Sequence, residues 1–460
     1  MDTLKKKYGL FTAICMVVGI VIGSGIFFKA PLVLANAGNA LFSTLAWIIA
    51  GLIMVVIATT FGVMATKYEK VNGIVDYAEA SCGKAYAYYV GWFMSLIYYP
   101  AMTSVLAWVS ARYTLVVVVG NDSMIFSTEC IALALFYLVL AYFVNTIAPK
   151  IAGKFQISST LIKLIPIVFI ALVGTVIGLF NGTLGSNFGA IYEFSNENAG
   201  LFPAICSTIF AYEGWIVATA INSEIKDSKK NLPIALCLGT LIIVVAYALY
   251  NVGVLGLAEI NSLSDGTYVA FNFFGPAAAA VINVLVVVSC LGTLNGLMLG
   301  CTRGIYALSA RNEGISPKTF KQIDKITNVP HNSAAFALLA CAFWFMYFIF
   351  SSMGIFGEYG FDSSELPIIT IYPLYIPILL VMMVKEKDLN PLRRFVLPVL
   401  SIIGIGVIVM ASILAHGIKN VWYLIVFALV MLLGAFVKRI NEKEEMRIAS
   451  SNAQDTESEA

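Results

Sequence analysis

Apolar residues run along this chain in stretches of about 20, long enough as helices to cross a bilayer, with short polar connections between them. Counting these stretches predicts twelve spans, at approximately 9–35, 40–66, 86–111, 125–145, 151–180, 199–222, 232–258, 269–302, 334–352, 366–384, 395–416 and 421–437. The fold class expected is therefore an all-α membrane protein with twelve transmembrane helices. Two of the stretches are interrupted at matching places. The first carries Gly23-Ser24-Gly25 at its middle, and the sixth carries Phe210-Ala211-Tyr212-Glu213-Gly214-Trp215. In lipid every backbone N–H and C=O must find a partner, so such a break is tolerated only where it is buried in protein or lines a cavity. Paired breaks in two sequence halves point to a binding site near the bilayer midplane.

Composition agrees with a bilayer setting: 60% of the 460 residues are apolar, 12% are charged, and the mean hydropathy is +0.89. Basic residues near span ends stay cytoplasmic, which sets the orientation. With the N-terminus inside, 24 of the 28 basic residues, from Lys5, Lys6, Lys7, Lys67 and Lys70 through to Arg447, fall on the inner side. Only Lys29, Arg112 and Lys419 fall outside, and Lys163 lies within span 5. Both termini are thus expected in the cytoplasm, with the chain in the cell membrane. The formal charge of +2 reflects these inner loops and implies no nucleic-acid partner.

An odd number of spans per half makes the second half insert upside down relative to the first. The expected organisation is a cytoplasmic N-terminus at 1–8, a first inverted repeat at 9–180 (spans 1–5) and a second at 199–384 (spans 6–10). Spans 11 and 12 follow at 395–437, then a polar tail at 438–460, of which 441–460 is expected to be disordered for want of apolar residues. The eight cysteines are scattered without a C-x-x-C spacing and read as small core hydrophobes. With only His331 and His416 available, a histidine-based metal or catalytic site has almost no material, and neither metal nor cofactor is expected.

At the first break, two glycines around a serine lower helical propensity and let backbone approach a ligand closely. The amides of Ser24, Gly25 and Ile26 would be free donors at the start of the outer half-helix, where the dipole favours a carboxylate. A small-residue packing seam is the competing reading, since Gly19 and Gly23 have GxxxG spacing. At the second break an acid stands mid-span, where an ionisable group costs about 2.5–3.5 kcal/mol or more and is a functional hypothesis by default. If that half-helix ends near Phe210–Ala211, its freed carbonyls can accept from an ammonium. One pole for a carboxylate and one for an amine fits an α-amino acid. Lys163, about 18 Å along its helix from Ala152 at 1.5 Å per residue, is either snorkelling or a functional amine that braces the first break or takes part in proton or conformational coupling. Asn295-Gly296 and Arg303 are candidates for the pathway or an inner gate. Tyr98, Tyr99 and Tyr372 fit either an interfacial belt or a pocket, and Asp76 and Glu79 read as partners for nearby lysines.

These residues resemble a known family. Val17–Phe27 with its Gly-Ser-Gly, the Phe210–Trp215 break followed by Glu224-Ile-Lys-Asp-Ser-Lys-Lys-Asn-Leu-Pro233, the Lys163 context, and Asn295-Gly296 before Arg303 are similar to the amino acid–polyamine–organocation superfamily. Within it they resemble L-type amino acid transporters, particularly bacterial serine/threonine and alanine/serine/cysteine exchangers. The resemblance implies a LeuT-like fold of ten core spans plus two, with alternating access. It also implies that backbone at Ser24 and Gly25 holds the substrate carboxylate, that carbonyls at Val21, Phe210 and Ala211 meet the amine, and that Phe210 gates the outer side. A lysine in place of an ion site in span 5 implies sodium independence. Because 112–125 contains no cysteine, the disulfide-linked heavy subunit of animal members is not expected. Glu213 leaves exchange, proton-coupled symport and cationic amino acid or polyamine antiport all open, with small neutral L-amino acid exchange as the leading expectation. No nucleophile triad, HExxH or paired-carboxylate pattern supports an enzyme.

Overall fold

A computed structural model describes residues 9–67, 73–218 and 225–458. Lys5, Lys6, Lys7, Lys70 and Glu224 lie outside the described residues. The described chain is built from helices, α1 (Leu10–Val21), α2 (Gly25–Ala37), α3 (Ala40–Ala65), α4 (Ile74–Cys82), α5 (Lys84–Val119), α6 (Thr128–Ile147) and α7 (Pro149–Phe180) in its first part. After a long connection come α8 (Leu201–Tyr212), α9 (Trp215–Ala218), α10 (Ser228–Leu257), α11 (Pro276–Ser309), α12 (His331–Ser352), α13 (Leu366–Lys385), α14 (Leu392–His416) and α15 (Lys419–Ser458). Among the described residues ten of these are long and apolar enough to cross a membrane, whereas α1, α2 and α8 are apolar but short.

Prolines explain several local departures from regular helix. A proline deprives the carbonyl four residues earlier of its partner and clashes with it. Pro31 does this to the Phe27 carbonyl, which accepts instead from the Tyr113 hydroxyl at 2.8 Å and from Thr267 Oγ1 at 3.3 Å. Pro100 does the same to Leu96, whose carbonyl takes the Trp344 Nε1–H at 2.8 Å. The turn just before Pro100, Met94–Tyr98, is a wide π-turn within α5. Such turns occur as single bulges in helices, frequently at functional sites. Pro166 lies four residues beyond Ile162, and α7 is interrupted at Lys163 accordingly.

Small residues set the closest helix contacts, as expected where lipid offers no hydrophobic drive between helices. A Cβ on Gly174 would come within 2.4 Å of the Gly253 carbonyl oxygen, and one on Gly256 within 2.3 Å of the Gly174 oxygen, so α7 and α10 meet backbone to backbone. α3 packs along α10, α5 along α11, α2 along α8, and α1 along α10. α14 lies against α3 and α8. α15 is tied to α5 by Trp92 Nε1–H on the Val430 carbonyl (2.8 Å) and the Tyr88 hydroxyl on the Gly434 carbonyl (2.8 Å), and its Leu429, Leu432 and Phe436 stay exposed.

Four expectations are corrected. The eighth span begins at Pro276 rather than near 269, because Gly275 takes a φ of +83° and Pro276 starts the helix. Helix continues through the tail to Ser458. A tail too polar to fold alone can still extend a helix whose nucleation is already complete, and its Glu, Lys, Arg, Met and Ala residues favour this. Lys29 is not a boundary cation. It is fully buried in α2 and paired with Glu365 at 2.6 Å. The inner acids Asp76 and Glu79, expected beside lysines, have Arg311 just past the end of α11 as an ion-pair partner.

Candidate functional site

α1 ends at Val21, where Ile22 turns extended (φ −63°, ψ 114°), and Ser24 caps the start of α2 without a side-chain cap bond. By position, the Gly25 and Ile26 amides at the start of α2 have no intrahelical acceptor, while the Phe27 and Phe28 amides donate to the Ser24 carbonyl at 3.1 and 3.0 Å. Ser24 is 1% exposed and its Oγ makes no hydrogen bond. Glycine is required at 25 by close approach: a Cβ there would lie 2.7 Å from Ala211 Cα and 3.1 Å from Phe210 Cδ1. Gly19 meets Thr160 of α7 and Gly23 meets Thr293 of α11, so this stretch is a packing seam as well as a break.

The second break falls two residues later than expected. α8 runs to Tyr212, Glu213 turns extended (φ −72°, ψ 155°), and Gly214 at φ +108° adopts a conformation that L side chains resist. The residue able to take that conformation sets the place of the break, which is why it moves past Phe210–Ala211. The Glu213 carboxylate accepts the Tyr98 hydroxyl at 2.8 Å on Oε1 and the Tyr372 hydroxyl at 2.7 Å on Oε2. Tyr98 comes from the π-turn of α5 and Tyr372 from α13, so both tyrosines face the interior rather than an interfacial belt. Tyr99 packs on Gly300 of α11. Trp215 is fully buried against Phe61 and Tyr375 and serves packing.

One residue that sequence reasoning missed joins the two breaks. The Tyr247 hydroxyl of α10 lies 3.1 Å from the Ala211 carbonyl and 3.4 Å from the Val21 carbonyl. Both carbonyls belong to the last turns of α8 and α1, where intrahelical partners run out. The available signal was the pair Tyr247 and Tyr250 in the middle of a largely aliphatic span. Phe210 stacks edge-on with Phe28 at 5.8 Å, and the Lys29 ammonium lies 5.3 Å from the Phe210 ring centroid.

Lys163 is 2% exposed at the interruption of α7. Among the described residues its ammonium has no hydrogen bond or ion pair, so no direct brace to the Gly23–Gly25 segment is formed. Snorkelling is corrected too, because a snorkelling head group would reach water. Asn295 is drawn into a bracket between helices: it accepts from Asn145 Nδ2 (2.9 Å) and donates to the Ala152 carbonyl and Gln156 Oε1 (3.2 Å each). Arg303 is exposed. Of the sequence-derived candidates, Val21, Ser24, Gly25, Phe210 and Ala211 are brought together, Glu213 stands beside them, and Lys163 and Asn295 belong to the surrounding scaffold.

Removing the Tyr247 hydroxyl frees both carbonyls without changing the ring. Tyr247→Phe is expected to change the half-saturation concentration for transport several-fold while leaving folding intact, because a hydrogen bond of this kind contributes about 0.5–1.5 kcal/mol. Unchanged kinetics in reconstituted vesicles would separate Tyr247 from the site.

Comparison with known proteins places this arrangement. A family model described as amino acid permease matches residues 8–437. The serine/threonine exchanger SteT of Bacillus subtilis (strain 168) is 32% identical over 316 residues, covering 67% of this chain and 69% of its own. The b(0,+)-type amino acid transporter 1 of Homo sapiens is 24% identical over 442 residues, covering 95% of this chain and 88% of its own. The large neutral amino acids transporter small subunit 2 of Oryctolagus cuniculus is 28% identical over 336 residues, covering 70% and 60%. With ten helices among the described residues long and apolar enough to cross a membrane and a family match over residues 8–437, this chain belongs to the amino acid permease family, a membrane carrier of amino acids and not an enzyme.

Proposed function

We propose that the chain exchanges small neutral L-amino acids, of the alanine, serine and threonine kind, across the cell membrane by sodium-independent alternating access. The observation that carries this reading is the convergence of the Val21 and Ala211 carbonyls on a single donor, the Tyr247 hydroxyl, with Gly25 at the α2 start packed against Ala211. Two carbonyls that share one donor keep accepting capacity for the donors of an ammonium. The α2 start, a few ångströms away, suits the carboxylate. Ser24 and Gly25 hold that carboxylate by backbone, Val21, Phe210 and Ala211 bind and cover the amine, and Glu213 and Lys163 couple occupancy to conformational change.

Reading α1 with α2, and α8 with α9, as single interrupted crossings raises the ten long helices to twelve, in a LeuT-like arrangement of two inverted five-helix repeats plus two. The packing of α2 on α8, α3 on α10 and α5 on α11 supports it, since these are counterparts across the two repeats. The domain limits 1–8, 9–180, 199–384, 395–437 and 438–460 follow from that reading, with both termini cytoplasmic. The SteT name, serine/threonine exchanger, supports the substrate class. The relative named a small subunit raises the matter of a partner chain. The absence of cysteine from 112–125 favours action without a disulfide-linked one.

Uptake of labelled alanine, serine, threonine and leucine into proteoliposomes tests the proposal. Uptake is expected to require internal amino acid and to ignore sodium. Accumulation driven by a pH step into empty vesicles, and lost in Glu213→Gln, would instead establish proton symport, a reading that the buried Glu213 between two tyrosines favours. Competition by arginine or putrescine would establish the cationic alternative.

A further inference from the structure

Cys206 of α8, Glu365 at the start of α13 and His416 at the end of α14 lie far apart in sequence and meet at one point. Glu365 Oε2 is 3.0 Å from His416 Nε2 and 3.5 Å from Cys206 Sγ, and the sulfur is 3.6 Å from the imidazole nitrogen. Cys206 and Glu365 are buried, at 0% and 2% exposure, while His416 is partly open beside the Gly417 bend. Zinc takes thiolate sulfur at about 2.3 Å and imidazole nitrogen or carboxylate oxygen at about 2.0–2.2 Å in a tetrahedron, so two of its ligand atoms stand about 3.2–3.6 Å apart. The three measured separations form a triangle of nearly that size.

The surroundings suit a metal. The other carboxylate oxygen, Glu365 Oε1, accepts the Lys29 ammonium at 2.6 Å, and Lys29 is held in turn by Ser364 Oγ at 2.8 Å. Hydrogen bonding of this kind around a ligating carboxylate fixes its orientation and leaves Oε2 facing the sulfur and nitrogen. Asp362 accepts from the Ser364 amide (2.6 Å) and hydroxyl (2.5 Å) and adds a negative charge close by. A thiolate at Cys206 with the carboxylates of Glu365 and Asp362 provides three negative charges. A divalent ion together with the Lys29 ammonium balances them.

We propose that Cys206, Glu365 and His416 form a three-ligand site for a divalent thiophilic transition metal, with zinc the best fit by donor set and size. Binding forms bonds from the metal to Cys206 Sγ, Glu365 Oε2 and His416 Nε2. The Cys206 thiol proton leaves to solvent, as does the Nε2 proton where the ring carries one, and water completes the fourth position. The site joins α8, α13 and α14 beside Lys29 of α2. If the exchange reading holds, occupancy clamps the half-helices α2 and α8 against the rest of the bundle and slows transport. Metal binding itself does not depend on that reading.

The test uses the full-length purified chain in detergent, stripped with a chelator and titrated with Co2+. We expect one Co2+ per chain with a thiolate-to-metal charge-transfer band in the near ultraviolet and tetrahedral ligand-field bands, all displaced by Zn2+. Cys206→Ser loses the charge-transfer band, and His416→Gln weakens apparent affinity roughly tenfold or more. Zn2+ raises the thermal midpoint of the native chain, as a ligand of the folded state must, and not that of Cys206→Ser. Should Cys206→Ser fail to fold, the His416→Gln titration carries the test. A native chain without the charge-transfer band, a band that persists in Cys206→Ser, or unchanged affinity in His416→Gln overturns the proposal and leaves a hydrogen-bonded cluster only. Because these readouts involve no transport, their failure is distinguishable from failure of the exchange reading.

Discussion

Lys163→Met is expected to make the protein more stable and much slower. The ammonium is buried at the interruption of α7 and, among the described residues, has neither hydrogen bond nor ion pair. A lysine at the centre of a membrane helix costs about 2.5–3.5 kcal/mol, and methionine matches its length without the charge. The thermal midpoint in detergent should therefore rise. Turnover in counterflow should fall roughly tenfold or more, equivalent to about 1.4 kcal/mol on the limiting step, with a smaller change in half-saturation. The reasoning is that a charge kept without a partner in this conformation gains one in another, and so biases the equilibrium between them. Retained turnover would remove Lys163 from the mechanism. A lower midpoint would mean that its ammonium is satisfied after all.

Gly25→Val is expected to weaken transport strongly through the opposite route, by steric conflict at the contact between the two breaks. Even the first added carbon would lie 2.7 Å from Ala211 Cα, and that neighbour is backbone, which cannot rotate away. Overpacking of this sort costs about 1–3 kcal/mol, small enough for the chain to fold with α2 and α8 pushed apart. The half-saturation concentration should then rise roughly tenfold or more, consistent with that energy. Gly25→Ala should fall between native and valine. A monodisperse elution profile and a measurable thermal midpoint separate a displaced site from a misfolded chain. Native kinetics in Gly25→Val would show that the contact between the breaks is not the place of binding.

Much of the site was legible before any coordinates. Both breaks are written in glycine, and a lone acid in an apolar span announces itself by its cost. What was misplaced is instructive. The second break was expected at Phe210–Ala211, where the freed carbonyls were wanted, but it stands at Glu213–Gly214, where the backbone can take a positive φ. Lys29 was read as a boundary cation because charge counting along a chain does not see Glu365, which lies 336 residues away. The sequence discounts Cys206 because the cysteines show no C-x-x-C spacing, and His416 because two histidines are almost no material for a site.

Hydropathy alone determined that this is a helical membrane protein and where its main helices run, and glycine marked, to within a few residues, where two apolar stretches give way. Those properties are local: they depend on a residue and its near neighbours, against lipid or water. Only the tertiary structure decided that Tyr247 bridges the Val21 and Ala211 carbonyls, that Tyr98 and Tyr372 hold Glu213, that Lys163 is buried with no partner among the described residues, and that a thiol, a carboxylate and an imidazole converge beside Lys29. A helix buries polar groups according to which of its faces meets which neighbour, and in lipid those facings are set by packing between helices rather than by any period in the sequence.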